Sequence, residues 1–327
     1  MRYIFLIFSI IGIIVLSFGF DMLGSYNGRI VIYIGISMIL AVSLNVVNGF
    51  TGQFSLGHAG FMSIGAYTSV VFSTMLLPKV LGTSLEGGSQ HFVLLISLLA
   101  GGIAAAIAGL LVGIPSLRLK GDYLAIVTLG FGEIIRVVIQ NIDYLGGALG
   151  LAGLPRYTNF LWIFITLAIV VFIIQNLMRS TYGKGFLAVR DDEIAAEAMG
   201  INTTRYKVIA FVIGAFFAGI AGGLYGNYNG LISPEDFGFV RSVEIVVMVI
   251  MGGMGSTYGV MAAAALLTYL PEWLRGIKFG SVNLGDFRMS IYSLALIILM
   301  LTRPQGIFGS FNLMKIFSKK KSDFKKA

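Results

Sequence analysis

The stretch FLWIFITLAIVVFIIQNLM, residues 160–178, contains no charged side chain. At about 1.5 Å per residue it makes a helix of about 28 Å, close to the thickness of a bilayer's hydrocarbon core. A helix on the surface of a soluble protein hides one face and clothes the other in charge. This one has no charged face, so it is read as a membrane span.

The same reading extends in both directions. Residues 92–114 and 208–226 are equally free of charge. Further apolar segments lie at 3–20, 30–47, 54–77, 123–140, 243–253, 256–270 and 291–301, giving about ten expected spans. The first is too long, and lacks the small-residue cleavage pattern, for a signal peptide. The whole chain agrees: mean hydropathy is +0.90 and only 12% of residues are charged, about half the usual share of a soluble domain. That is too little charge to cover 327 residues in water. The expectation is an all-α, polytopic integral membrane protein forming one transmembrane domain over 1–327. Glycine interruptions near 49–65 and 252–259, one in each half, predict broken or re-entrant segments and suggest inverted repeats.

Charge sets the orientation. With ten spans and the N-terminus inside, the inner loops hold 15 of the 23 basic residues: Arg2, Arg118, Lys120, five within 179–207 and seven from Arg303 onward. The outer loops hold seven, and Arg136 lies within a span, three residues from Glu133 on one helix face, where the two neutralise each other. The bias predicts two cytoplasmic termini in the inner membrane, with a cytoplasmic loop at 179–207 and a basic tail at 303–327 lying on anionic lipid. The net charge of +8 is explained by this topology, and no nucleic-acid partner is expected. Cysteine is absent and histidine is limited to His58 and His91, which excludes disulfides and thiolate sites and leaves no His-based metal centre. No catalytic constellation is present.

Small residues recur every fourth position in two spans: Gly101, Ala105, Gly109, Gly113, and Gly214, Ala218, Gly222, Gly226. Each row lies on one helix face where a neighbouring backbone can approach closely, in static packing or at a moving interface. In the cytoplasmic loop, Arg190, Asp191, Asp192, Glu193, Ala195, Ala196, Glu197 and Gly200 read as a short helix. Its acids stand in the first turn, favourable to the dipole, and Gly200 stops it. Asn45, Asn48, Gln53, Ser55, His58 and Thr128 are polar at membrane depth, where groups face protein or a water path. Of these, Gln53, Ser55, His58 and Thr128 are candidates to line a substrate pathway, against the plainer role of helix–helix hydrogen bonding.

Motifs across the chain add a resemblance. Ala195-Ala196-x-x-x-Gly200 is similar to the core of the coupling loop of ABC importer permeases, although Ile194 stands where that pattern has Glu. Residues 52–67, GQFSLGHAGFMSIGAY, closely resemble the signature of the branched-chain amino acid permeases, the LivH/LivM family. Residues 121–130, Gly252 to Ser256 and Pro304-Gln305-Gly306 match as well. The run from Arg118 to Tyr123 is more like the LivM member of the pair. The resemblance implies a second permease subunit, two ABC ATPase subunits and a substrate-binding protein, with the loop helix docking in a groove of the ATPase and the membrane path switching sides. The chain lacks a Gly-x-x-x-x-Gly-Lys-Ser/Thr loop, so ATP would be bound by the partner subunits, and no cofactor of its own is expected. Permeases for urea and short-chain amides are similar. An ion-coupled transporter would need titratable groups around a central site, and Glu133–Arg136 is the main such pair.

Overall fold

In lipid, a chain must satisfy its own backbone hydrogen bonds, and a helix does so locally. The computed structural model describes residues 2–20, 24–77, 88–116 and 121–275, with short stretches at 278–279, 282–283, 293–294 and 297. The expected span at 291–301, the tail at 303–327, and Arg118 and Lys120 fall almost wholly outside the described residues.

The helices are α1 (Arg2–Phe20), α2 (Gly24–Asn45), α3 (His58–Val71), α4 (Gly88–Ser116), α5 (Asp122–Gln140), α6 (Phe160–Arg179), α7 (Thr181–Asp191), α8 (Glu193–Ala198), α9 (Thr203–Asn229), α10 (Phe239–Gly252) and α11 (Thr257–Arg275). Helix α2 runs into a π-helical turn at Val46–Phe50, and α3 into another at Phe72–Leu76. Strand β1 (Leu151–Ala152) pairs antiparallel with β2 (Leu231–Ile232), and β3 (Lys278–Phe279) with β4 (Val282–Asn283).

Among the described residues, six helices are long and apolar enough to cross a bilayer: Gly24–Phe50, His58–Leu76, Ser89–Ser116, Tyr123–Gln140, Phe160–Arg179 and Thr203–Asn229. Helix α1 packs on α6 beside them, with Phe20 against Phe160. The expected spans at 243–253 and 256–270 become α10 and α11. With fourteen residues, α10 is about 21 Å long, short for a bilayer core. It turns back at Gly253 and continues as α11.

Helix α9 sits centrally, and its small residues form two rows. Gly222 meets α3 at the Met62 carbonyl, while Gly214 lies against α2 at Ser43 and Val47. The other face, Ala215 and Gly219, takes α4: a Cβ on Gly109 would lie 2.5 Å from that of Ala215, and one on Gly219 would lie 2.7 Å from the Gly101 carbonyl. Gly101 in turn approaches Gly65 of α3, at 2.6 Å from its carbonyl oxygen to the same hypothetical Cβ. Ala105, Gly113, Ala218 and Gly226 are buried too. Three helices thus touch backbone to backbone around Gly65, Gly101 and Gly219. Helices α5 and α6 lie outside this core, showing large apolar side chains such as Ile126 and Ile173, the surface lipid would cover.

The two glycine breaks meet where α2 and α10 end: the backbone N–H of Gly255 donates to Asn45 Oδ1 at 2.9 Å.

Candidate functional site

Between Phe50 and His58 the chain leaves helical form, with Gly52 at φ +69° and Thr51 and Gly57 at ψ near zero. Its burial alternates: Thr51, Gln53, Ser55 and Gly57 are buried, whereas Gly52 and Phe54 are exposed. A non-helical stretch inside a bundle must find its hydrogen bonds elsewhere. It finds them one at a time. Gln53 N–H donates to the Val47 carbonyl at 3.1 Å, Ser55 N–H to Asn48 Oδ1 at 3.2 Å, Leu56 N–H to Thr128 Oγ1 at 3.0 Å, and Ala59 N–H to Ser242 Oγ at 3.2 Å. The segment is held by side chains from α5, α10 and the π-turn.

The four candidate pathway residues therefore lie on or beside one non-helical segment, in different states. Thr128 is 1% exposed, and its hydroxyl both accepts from Leu56 and donates to the Ala125 carbonyl at 3.0 Å. The Ser55 backbone is bracketed by the Asn48 amide. His58 Nε2 lies 2.8 Å from Ser43 Oγ. Since Ser43 donates its proton to the Leu40 carbonyl, its oxygen is left to accept from the imidazole. Gln53 differs: its side chain is buried, and neither Oε1 nor Nε2 has a hydrogen-bond partner among the described residues. Asn45 Nδ2, on the same π-turn side, is also unpartnered. Two orphaned amides at one glycine-lined junction offer the donors and acceptors that a polar solute crossing there would use. Gln53→Leu is expected to keep or raise thermal stability, because a buried unsatisfied amide costs about 1–3 kcal/mol, while lowering uptake at least tenfold. Thr128→Val, by contrast, should destabilise by about 1–3 kcal/mol by stranding the Leu56 N–H.

The loop at 179–207 forms two helices rather than one. Ser180 caps α7. Asp192 caps α8, its Oδ1 accepting from Ile194 N–H at 2.9 Å and Ala195 N–H at 3.0 Å. The expected run of three acids in one first turn is thus divided: Asp191 ends α7, Asp192 is the cap, and Glu193 alone stands in the first turn. Gly200 has φ +82°, a left-handed turn that a side chain resists. Glu193 pairs with Lys207 Nζ at 2.6 Å, a lysine only 9% exposed in its side chain, and Glu197 accepts from Thr203 Oγ1 at 2.6 Å. Both acids tie α8 to the start of α9. Ala196 is buried within the chain, whereas Ala195 is exposed and Ile194 and Met199 are 75% and 83% exposed. The surface offered outward is Ile194, Ala195 and Met199, and the small Ala196 serves the internal contact.

Arg190 joins this loop to the junction. Its Nε and Nη2 donate to Asp191 Oδ1 at 3.0 and 2.8 Å, and Nη1 donates to the Gly49 carbonyl at 3.5 Å. A Cβ on Gly52 would come within 2.9 Å of Arg190 Cγ, and one on Gly255 within 3.2 Å of Nη1. The glycines leave room for the arginine, so both breaks and the loop meet at one side chain. Ser242, Lys207, Ile194 and Met199 were missed as contributors. The first two are single polar residues without a motif, and the last two would have been found by asking which side chains of a short helix are too apolar for water.

Among the described residues no cluster of His, Cys, Asp or Glu fit to hold a metal is present. Residues 26–302 match the family described as "Branched-chain amino acid transport system / permease component". The chain is 35% identical to the high-affinity branched-chain amino acid transport system permease protein LivM of Salmonella typhimurium, over 83% of this chain and 67% of that one. It is 24% identical to a probable LivM of Methanocaldococcus jannaschii, covering 85% and 92%, and 26% identical to the Salmonella typhimurium LivH, again covering 85% and 92%.

Proposed function

The chain belongs to the branched-chain amino acid transport permease family, and on that premise we propose that it is a membrane-spanning subunit of an ATP-driven importer carrying branched-chain or closely related amino acids inward across the cytoplasmic membrane. It works with a second permease subunit, two ATPase subunits that bind the ATP, and a substrate-binding protein. Both termini and the loop at 179–207 face the cytoplasm. Ile194 and Met199 dock in the ATPase, and the chain itself hydrolyses nothing.

The observation that carries this reading is the meeting of Arg190 with Gly49, Gly52 and Gly255. A loop that only joined two spans would have no reason to reach the point where the two glycine breaks meet. A loop that transmits ATPase closure must touch whatever opens. Movement of α7 and α8 would pull on Arg190 and thereby on the contact between Asn45 and Gly255, switching the junction between inward-open and closed arrangements. Glu193–Lys207 and Glu197–Thr203 make α8 and the base of α9 move together.

The test is reconstitution. The chain, purified with its partner subunits and placed in liposomes with the binding protein, should accumulate radiolabelled leucine at least tenfold faster with ATP than without it. Accumulation driven by a proton or sodium gradient without ATP would overturn the reading in favour of a secondary transporter. Urea or a short amide outcompeting leucine would overturn the substrate class.

A further inference from the structure

The end of the bundle away from the junction holds a cleft of about 850 Å³ between α1, α2, α6 and α9, adjoining a smaller one of about 470 Å³ that reaches α11. These sizes suit a small molecule. The two share Arg29, Tyr33, Tyr225 and Asp236. Three other arginines at this end are paired close by: Arg136 with Glu133 at 2.7 Å, Arg241 with Glu244 at 3.0 Å and Arg275 with Glu272 at 3.4 Å. Arg29 and Arg156 form no salt bridge among the described residues, and both line the larger cleft. Asp236 lines both clefts, with Oδ2 engaged by the Ser233 N–H at 3.0 Å. Ser37 Oγ and Thr268 Oγ1 in the wall of the smaller cleft, and Thr158 Oγ1 in that of the larger one, are buried without a hydrogen-bond partner among the described residues.

We infer that this cleft is a reception site for an amino acid zwitterion, its carboxylate between Arg29 and Arg156 and its ammonium on Asp236 against the faces of Tyr33 and Tyr225. Guanidinium groups suit a carboxylate's two oxygens, and aromatic faces attract an ammonium. A monocation would leave both arginines unanswered, and a monoanion would leave Asp236 unanswered. The inference rests on the transport reading, because it takes this end as the one facing the binding protein.

The probe is radiolabelled L-leucine, measured by retention on the purified complex in nanodiscs without binding protein. Leucine should be retained, and neither isocaproate, which lacks the ammonium, nor isoamylamine, which lacks the carboxylate, should displace it at tenfold higher concentration. R29Q/R156Q and, separately, Asp236→Asn should each reduce retention at least tenfold while eluting as monodisperse protein, whereas Arg136→Gln, a charge removed at the same end but outside the cleft, should retain leucine. Retention unchanged in R29Q/R156Q, or full displacement by isocaproate, overturns the zwitterion site. ATP-driven leucine uptake by a wild-type complex that retains no leucine also overturns it, and leaves the transport reading intact. Absence of uptake altogether strikes the transport reading instead.

Discussion

Replacing Gly219 by valine is expected to cut the yield of monodisperse protein about tenfold and to lower its melting temperature. Gly219 stands where α9 crosses α4 and α3. A Cβ there would lie 2.5 Å from that of Ala105, 2.7 Å from the Gly101 carbonyl and 3.1 Å from Gly102 Cα. Two of these three atoms are backbone, so no side chain can rotate out of the way and α4 must shift as a body. Overpacking a fitted core costs about 1–3 kcal/mol, and displacing a helix puts valine at the upper end or beyond. A folded domain has only about 5–15 kcal/mol in hand. Gly130 is the control. It is also helical, but nothing lies within 4 Å of its hypothetical Cβ, so Gly130→Ala should be neutral or stabilising by up to about 1 kcal/mol. Equal losses at both positions would mean that the three-helix contact does not hold the bundle together.

Arg190→Ala should separate transport from ATPase binding. The substitution leaves Ile194 and Met199 exposed as before, so the ATPase should still copurify. It removes the link to Gly49 and Gly255, and leucine uptake should fall at least tenfold, with loss of the rise in hydrolysis that loaded binding protein produces. Because a single hydrogen bond contributes only about 1 kcal/mol net, the melting temperature should barely move. A structural role would affect stability and transport together, and this one should not. Asn45→Ala breaks the other half of the junction, where Oδ1 holds the Gly255 N–H. If Arg190 acts through that contact, the double variant should transport no worse than the poorer single one. Independent losses that multiply would place the two residues on separate routes.

Six of the expected spans were legible because lipid imposes a rule on sequence, about twenty apolar residues in a run. The loop helix was legible from its acids and from Gly200. Its division at Asp192 was not, since Asp191, Asp192 and Glu193 are all compatible with a first turn, and the fold decides which one becomes the cap. The direction of Ala196 was hidden for a related reason. An alanine suits an internal contact as well as a docking face, and only the exposure of Ile194 and Met199 separates the two. The rows on α9 were readable as close packing, but Ala215 and Gly219 lie beside Gly214 and Ala218, and the sequence does not say which row meets which helix. The non-helical segment at 51–57 was least legible. Its side-chain hydrogen bonds come from Asn48 and Thr128, the latter 72 positions away, and glycines announce a break without announcing its form.

The account stands or falls on whether the loop at 179–207 meets an ATPase. The chain has no native cysteine, so a single cysteine at Met199, which is 83% exposed, is the only thiol in it. In the assembled complex, a short thiol-to-amine cross-linker is predicted to join Met199→Cys to the ATPase subunit, and Leu149→Cys, 87% exposed at the opposite end, to leave it untouched. A cross-link from position 149 and none from position 199 would contradict the account.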